Sequence, residues 1–261
     1  MRILMVPLLA ATLASAGCDL MTANLRAEQS AQWQKTYALA ANGSVDIENV
    51  NGKIEVEPSS GSNVEVIAIK KAHGASDEAA KAALDRITIA EDVSGDHVKI
   101  EAKFPRAGGI LSGSGNGSVE FHVKVPVGAT AKFATVNGGV DVRGLSGRVN
   151  AETTNGGVSA RDMAGQLDAS TTNGGLDIDL AKMPEGGVKL ECTNGSIKVR
   201  LPRDAKATIS ATITNGGISA SDLPLETSGD NSRRRLDAKM NGGGPRLEIE
   251  GTNGGIKLTS R

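Results

Sequence analysis

The sequence predicts an all-β protein: a β-solenoid, parallel β-helix-like, stacked from 18–21-residue T-N-G-G repeats and preceded by a mainly antiparallel β region with one helix. Three observations predict it. One phrase keeps returning, as V-N-G-G at Val136–Gly139, T-N-G-G at Thr154–Gly157 and Thr172–Gly175, T-N-G-S at Thr193–Ser196, and T-N-G-G again at Thr214–Gly217 and Thr252–Gly255. From Asn137 to Asn215 successive asparagines are 18, 18, 21 and 21 residues apart, and a period near 20 marks a stacked-repeat architecture. The composition agrees, with 33 Gly, one Trp, one Tyr and three Phe among many Val, Ile and Thr, which favours short strands and tight corners.

Taken in order, residues 1–17 read as a signal peptide. Arg2 gives a positive start, Ile3–Leu13 an apolar run too short to span a bilayer, and Ser15-Ala16-Gly17 small residues before Cys18. The pattern resembles a bacterial lipobox, in which the cysteine is lipidated and becomes the new N-terminus; Ser15 stands where that motif usually carries Leu. An ordinary secretory signal is the alternative. Lipidation of Cys18 would attach the protein to a membrane, each buried methylene adding about 0.8 kcal/mol. Asp19 after the cysteine resembles a sorting signal for the periplasmic face of the inner membrane. With Cys18 so used, the other cysteine, Cys192, has no partner for an internal disulfide.

Residues 18–40 read as a lipid-anchored tether, with a turn or two of helix at Gln29–Lys35 that places Trp33 and Tyr37 on one face. Residues 41–125 read as an antiparallel β region. Val45 and Ile47 alternate with Asp46 and Glu48, Asn49–Gly52 reads as a hairpin turn, and Ile54 and Val56 continue beyond it. After a turn at Pro58–Ser62 come Val64, Val66 and Ile69. A helix follows over Asp77–Arg86, capped by Ser76 and carrying Asp77 and Glu78 in its first turn. Strands at Ile87–Ala90, Val98–Phe104 and Ser118–Val125 flank a Gly/Ser-rich loop over Pro105–Gly117.

Residues 126–261 hold the repeats. After each corner an apolar pair alternates with polar residues: Val140/Val142, Val158/Ala160, Leu176/Ile178, Ile197/Val199, Ile218/Ala220 and Ile256/Leu258. Before each corner another pair does so: Ala131/Phe133, Val149/Ala151, Leu167/Ala169, Val188/Leu190, Ile209/Ala211 and Leu247/Ile249. Period two with one apolar face means a half-buried strand. Leu145, Met163, Leu180, Leu201 and Leu223 add an apolar corner. No single repeat closes a core, whereas stacking at about 4.8 Å lays like over like. The asparagines Asn137, Asn155, Asn173, Asn194, Asn215 and Asn253 are expected to form a structural turn ladder, tolerating the left-handed region at the corner and bonding one another. A row of amides that binds sugar or metal is the competing reading.

Catalytic signals are sparse. His73, His97 and His122 have no second ligand at metal spacing, neither a nucleophile elbow nor a dinucleotide fingerprint occurs, and the G-G-x-G-x-D calcium pattern fails at Leu176-Asp177. Cys192 shares the inward column of Thr135, Thr153, Thr171 and Ile213, where a thiol is buried and inert. Asp177 and Asp179 beside Arg161 and Arg200 read as cross-rung ion pairs, or as part of a saccharide-cleaving groove. Net charge is −1 without a basic stripe, so nucleic acid is no expected partner; the triplet Arg233–Arg235 reads as a solvated loop tip. The chain is expected to end on an exposed last rung, with Lys257 and Arg261 protecting the edge or another chain pairing there.

V-N-G-K-I-E-V at Val50–Val56, V-P-V-G-A at Val125–Ala129, the T-N-G-G series, V-R-L-P-R-D-A at Val199–Ala205 and G-T-N-G-G-I-K-L at Gly251–Leu258 make residues 40–261 resemble a bacterial adhesin-type repeat domain family of unknown function. The resemblance implies a β-solenoid in a cell-envelope setting, some members lying near regulators of envelope stress, and it brings no catalytic residues or cofactor. The sequence therefore points to a non-enzymatic envelope lipoprotein. Its rigid surface would bind or scaffold an envelope protein or glycan. A polysaccharide-acting enzyme of parallel β-helix type is the alternative.

Overall fold

The computed structural model describes residues 27–40, 43–105, 117–227 and 231–261. The expected signal segment, Cys18, the start of the tether and most of the Pro105–Gly117 stretch lie outside the described residues. The described chain is all-β apart from one helix. In order come β1 (Ala27–Ala38), β2 (Ser44–Glu48), β3 (Ile54–Ser59), β4 (Asn63–Gly74), α1 (Asp77–Asp85), β5 (Thr88–Ser94), β6 (His97–Lys103) and β7 (Gly117–Pro126). The repeats follow as β8 (Thr130–Asn137), β9 (Val140–Arg143), β10 (Val149–Asn155), β11 (Val158–Met163), β12 (Leu167–Asn173), β13 (Leu176–Leu180), β14 (Val188–Leu201) and β15 (Ala207–Ser221). Then come β16 (Leu225–Thr227), β17 (Arg235–Met240) and β18 (Arg246–Ser260).

Strands before the N-G corners form one parallel ladder and strands after them a second. Asn155 lies opposite Asn137 on one side and Asn173 on the other, so every column of the sequence repeat becomes a column of the structure. The alternating pairs point inward and are buried, except Ile218/Ala220 on β15, where Ile218 is half-buried and Ala220 exposed, and both ladders contribute to one apolar cluster. Leu145, Met163, Leu180 and Leu201 close the third side, each at most 1% exposed. Burying a Val, Leu or Ile side chain contributes about 1.5–3 kcal/mol, and here neighbouring rungs do the burying.

Spatial order departs from chain order at both ends. Strand β18 lies between β14 and β15, parallel to both and in register through both ladders. The last repeat is therefore an interior rung, not the exposed end its position in the sequence implies. Gly251 permits the insertion: a Cβ there would stand 3.1 Å from the side chain of Ile213 on the next rung. Arg261 ends the chain by donating its backbone N–H to Leu201, 2.8 Å away. Strand β17 then pairs antiparallel with β15, and β16 with β17. The triplet Arg233–Arg235 is exposed, Arg233 and Arg234 forming the tight turn between Ser232 and Arg235, and its backbone is tied to the stack. The carbonyls of Arg233 and Arg234 accept from the backbone of Ile218 and Ile213, and Arg235 begins β17.

The N-terminal region is likewise part of the stack. Strand β2 runs parallel between β6 and β8, and β3 parallel between β7 and β9. Asn49–Gly52 is a rung corner and no hairpin, since β2 and β3 pair outward to different neighbours. Among the described residues of this N-terminal region, antiparallel pairing is confined to β5 with β6 and to β4 with β1 and β7. This arrangement has a physical reason: parallel strands need long crossovers, whereas a stack end is covered most simply by a strand that folds straight back.

Residues 27–38 of the expected tether form an edge strand paired with β4 along its full length. No helical turn forms at Gln29–Lys35. Spacing i,i+4 also shares a face on a strand, and Trp33 and Tyr37 pack inward there, with Tyr37 7% exposed. Helix α1 covers β4 and β1; Ala80 and Leu84 are buried, and the Ser76 hydroxyl accepts from the N–H of Ala79 at 3.2 Å.

Candidate functional site: the asparagine ladder and its flanking faces

The feature that runs the length of the stack is a file of exposed asparagine side chains. Asn137 donates to Asn51 at 2.8 Å, Asn155 to Asn137 at 2.9 Å, Asn173 to Asn155 at 3.0 Å and Asn194 to Asn173 at 3.0 Å. Asn253 continues to Asn194 at 2.8 Å and Asn215 to Asn253 at 2.9 Å, so the file follows the spatial order of the rungs. Every Nδ2 donates toward the N-terminal end, which makes the file one polarised chain of amides. Its head, Asn51, belongs to V-N-G-K at Val50–Lys53, where Lys in place of the second Gly hides a further repeat.

None of these asparagines takes the left-handed region; among described residues with a side chain, only Asp162, Asp222 and Asn241 have positive φ. The glycine after each asparagine makes the corner. Gly156 has φ +155°, and a Cβ there would stand 2.0 Å from the carbonyl oxygen of Gly138 on the next rung. Hydroxyls line the inside of the same corner: Thr153 donates to Gly138 and Thr171 to Gly156, both at 2.8 Å. Cys192 occupies that column on the next rung, its thiol donating to the carbonyl of Gly174 at 3.3 Å. Burial pushes the Cys192 thiol up from its ordinary pKa, and a buried thiol held protonated is a weak nucleophile.

Two shallow grooves flank the file. One, of 440 Å³, crosses the outer face of the first ladder and is lined by Arg148, Asn150, Gln166, Asp168, Lys189 and Glu191. Arg148 pairs with Asp168 at 3.2 Å, and Lys189 with Glu191 at 2.5 Å. The other, of 390 Å³, runs beside the corner on the second ladder, its floor the glycines Gly139, Gly157 and Gly175, with Asp141, Asp177 and Lys198 along it.

Asp177 and Asp179 are held by arginine, though not by Arg161. Arg200 stands 2.7 Å from Asp177 and 3.6 Å from Asp179, and Arg261 reaches Asp179 at 3.1 Å as well as Asp162. Both carboxylates are thus engaged in ion pairs across rungs, an ordinary use of charge on a sheet face. The histidines are dispersed: His97 bonds Ser44 at 2.8 Å and His73 lies 3.7 Å from Glu28. His122 differs, standing 3.0 Å from Glu55 and 3.6 Å from Glu120. Sequence spacing gives no sign of this group, because Glu55 arrives from a different rung.

The Toastrack DUF4097 family matches residues 80–259, more than half of the chain. No curated protein matches. Among solved structures, a candidate cell adhesion protein from Clostridium sporogenes superposes with a TM-score of 0.56 at 14% identity, over 89% of this chain and 100% of that one. That likeness shows a shared fold. A candidate adhesin from Bacteroides fragilis (TM-score 0.30, 8% identity, 88% and 97% covered) and a candidate lipid-binding protein from Parabacteroides distasonis (TM-score 0.26, 12% identity, 88% and 96% covered) are more distant in shape. The ordered series of N-G corners is thus met with a family match that covers the rungs of Asn137, Asn155, Asn173, Asn194, Asn215 and Asn253: the chain belongs to the Toastrack DUF4097 family.

Proposed function

We propose that this protein is a non-enzymatic cell-envelope lipoprotein, held on a membrane by lipid on Cys18, whose β-solenoid presents a rigid surface to an envelope protein or glycan. The observation that carries the reading is the continuous in-register stack. Its inward columns are filled by packed side chains, and its outward columns repeat polar groups at strand spacing along two faces. Such a body offers a long regular surface rather than an enclosed pocket. The adhesion name borne by the Clostridium sporogenes protein of like fold supports the same direction. The anchor at Cys18 rests on the lipobox-like Ser15-Ala16-Gly17-Cys18 of the sequence; among the described residues no helix is long and apolar enough to cross a membrane. Asp19 favours the periplasmic face of the inner membrane, and a role in envelope stress follows the resemblance drawn from the sequence.

The anchor is tested by Cys18→Ser, which should move the protein from the membrane to the soluble fraction; continued membrane retention refutes lipidation. The polysaccharide-acting alternative rests on Asp177 and Asp179 beside the groove, and the arginine pairs on both carboxylates weigh against it. Turnover of a polysaccharide by the purified chain, lost in Asp177→Ala or Asp179→Ala, would reverse that judgement.

A further inference from the structure

On the second ladder, away from the asparagine file, one set of ligand-type side chains gathers among the described residues. Glu55 on β3 stands opposite His122 on β7 in the parallel register, and Glu120 precedes His122 by two residues on the same face. Glu55 Oε2 is 3.0 Å from His122 Nδ1, and Glu120 Oε1 is 3.6 Å from Nε2. One ligand atom from each of the three residues lies within a 4.8 Å span. The side chains are 35–38% exposed, and a 120 Å³ cavity opens beside Glu55 and His122, lined also by Glu57, Glu65, Ile67 and Lys124.

The geometry points to a site for a divalent transition metal, Zn²⁺ by ligand chemistry, held by Glu55, Glu120 and His122 with its remaining position open to water. Carboxylate oxygen with imidazole nitrogen suits zinc, whereas Mg²⁺ and Ca²⁺ take oxygen ligands. Two ligands on a tetrahedral zinc, each about 2.0–2.1 Å from it, stand roughly 3.3 Å apart. The 3.0 Å between Glu55 and His122 Nδ1 is close to that; Glu120 stands nearer the other ring nitrogen, Nε2, and has to turn its side chain within the 4.8 Å span to join an ion held at Nδ1. Lys53 Nζ lies 2.5 Å from Glu55 and an equal 2.5 Å from Asp141, so it keeps an ion pair when Glu55 turns to the metal. Lys71 touches Glu120 only at 3.9 Å. The two carboxylates carry charge that a divalent ion offsets. The ion would tie β3 to β7, joining the first N-G rung to the rung outside it.

The test is titration of the purified full chain with Zn²⁺ alone, carrying Cys18→Ser so that this thiol supplies no ligand. Calorimetry should find one equivalent per chain, Mg²⁺ should give none, and the melting temperature should rise with Zn²⁺ by mass action. His122→Gln and Glu120→Gln should each weaken binding on the order of tenfold or more, since even groups behind metal ligands matter that much. His73→Gln and His97→Gln should bind as the parent does. Equal Zn²⁺ affinity in Glu120→Gln and the parent overturns the proposal. If His122→Gln does not fold, the Cu²⁺-loaded parent decides: its electron spin resonance should carry coupling to a single imidazole nitrogen, and a spectrum without it overturns the proposal.

Discussion

Gly156 and Gly157 are neighbours in the sequence with unlike tolerances. A methyl group on Gly156 would meet a backbone carbonyl at 2.0 Å, whereas one on Gly157 would meet the Gly175 carbonyl at 3.0 Å, and Lys53 and Ser196 already occupy the second position on other rungs. Gly156→Ala should therefore cost more than about 3 kcal/mol or prevent folding, while Gly175→Ser should cost under about 1 kcal/mol, both read from urea unfolding. The asparagines grade by position. Asn155→Ala removes two ladder bonds and Asn215→Ala one, at about 0.5–1.5 kcal/mol each, so the interior change should lower the unfolding midpoint roughly twice as far. Equal effects would mean the amides bond water as well as they bond each other. At this scale the sequence was informative about columns and less so about causes. Placing Cys192 with Thr135, Thr153 and Thr171 required only alignment, and all are buried. That the glycine carries the positive φ while the asparagine carries the ladder depends on contacts between rungs, which no single repeat contains.

Single elements show where local pattern is ambiguous. Trp33 and Tyr37 share a face on a helix and on a strand alike, and polar Gln29 and Lys35 in the column of Ala31, Trp33 and Tyr37 hid the alternation of β1, so only its pairing with β4 decides between them. Val45/Ile47 and Ile54/Val56 were legible as strands, but their partners were not, because β6 and β8 are as distant in sequence as they are close in space. Glu91 ties the two capping strands together: Lys35 approaches it at 2.6 Å and the Tyr37 hydroxyl donates to it at 2.7 Å. Tyr37→Phe should cost about 1 kcal/mol, measured by thermal melting. Those partners, Lys35 first, hold the Glu91 carboxyl below the ordinary carboxylate range. A carboxylate with a lowered folded-state pKa adds stability above its unfolded value, near 4.3, and that stability is lost as pH falls through the folded value. The parent should therefore lose melting temperature more steeply than Glu91→Gln below about pH 4. The difference should be no more than about 1 kcal/mol, because the pair is reached by solvent.

Across the whole molecule, the first and last N-G rungs lie inside the stack and the chain folds back beyond each to close the ends. The period announced a stack, but its spatial order was not legible, since Asn215 and Asn253 carry the same motif and either could stand next to Asn194. Gly251 beneath Ile213 is the local trace of the order chosen. Ending the chain at Gly244 removes Leu247, Ile249, Ile256 and Leu258, each at most 1% exposed. At about 1.5–3 kcal/mol apiece their loss rivals the entire stability of a typical domain. The truncated chain should thus lose hydrogen-exchange protection throughout β14 and β15, whereas a chain that merely shortened by one outer strand would keep it. The central claim concerns what the finished surface is for, and crosslinking mass spectrometry in native membranes tests it most directly. A display role gives reproducible crosslinks from outward lysines such as Lys132, Lys189 and Lys198 to an envelope partner, lost together when Cys18→Ser frees the protein; recovery of the anchored protein crosslinked to nothing would contradict it.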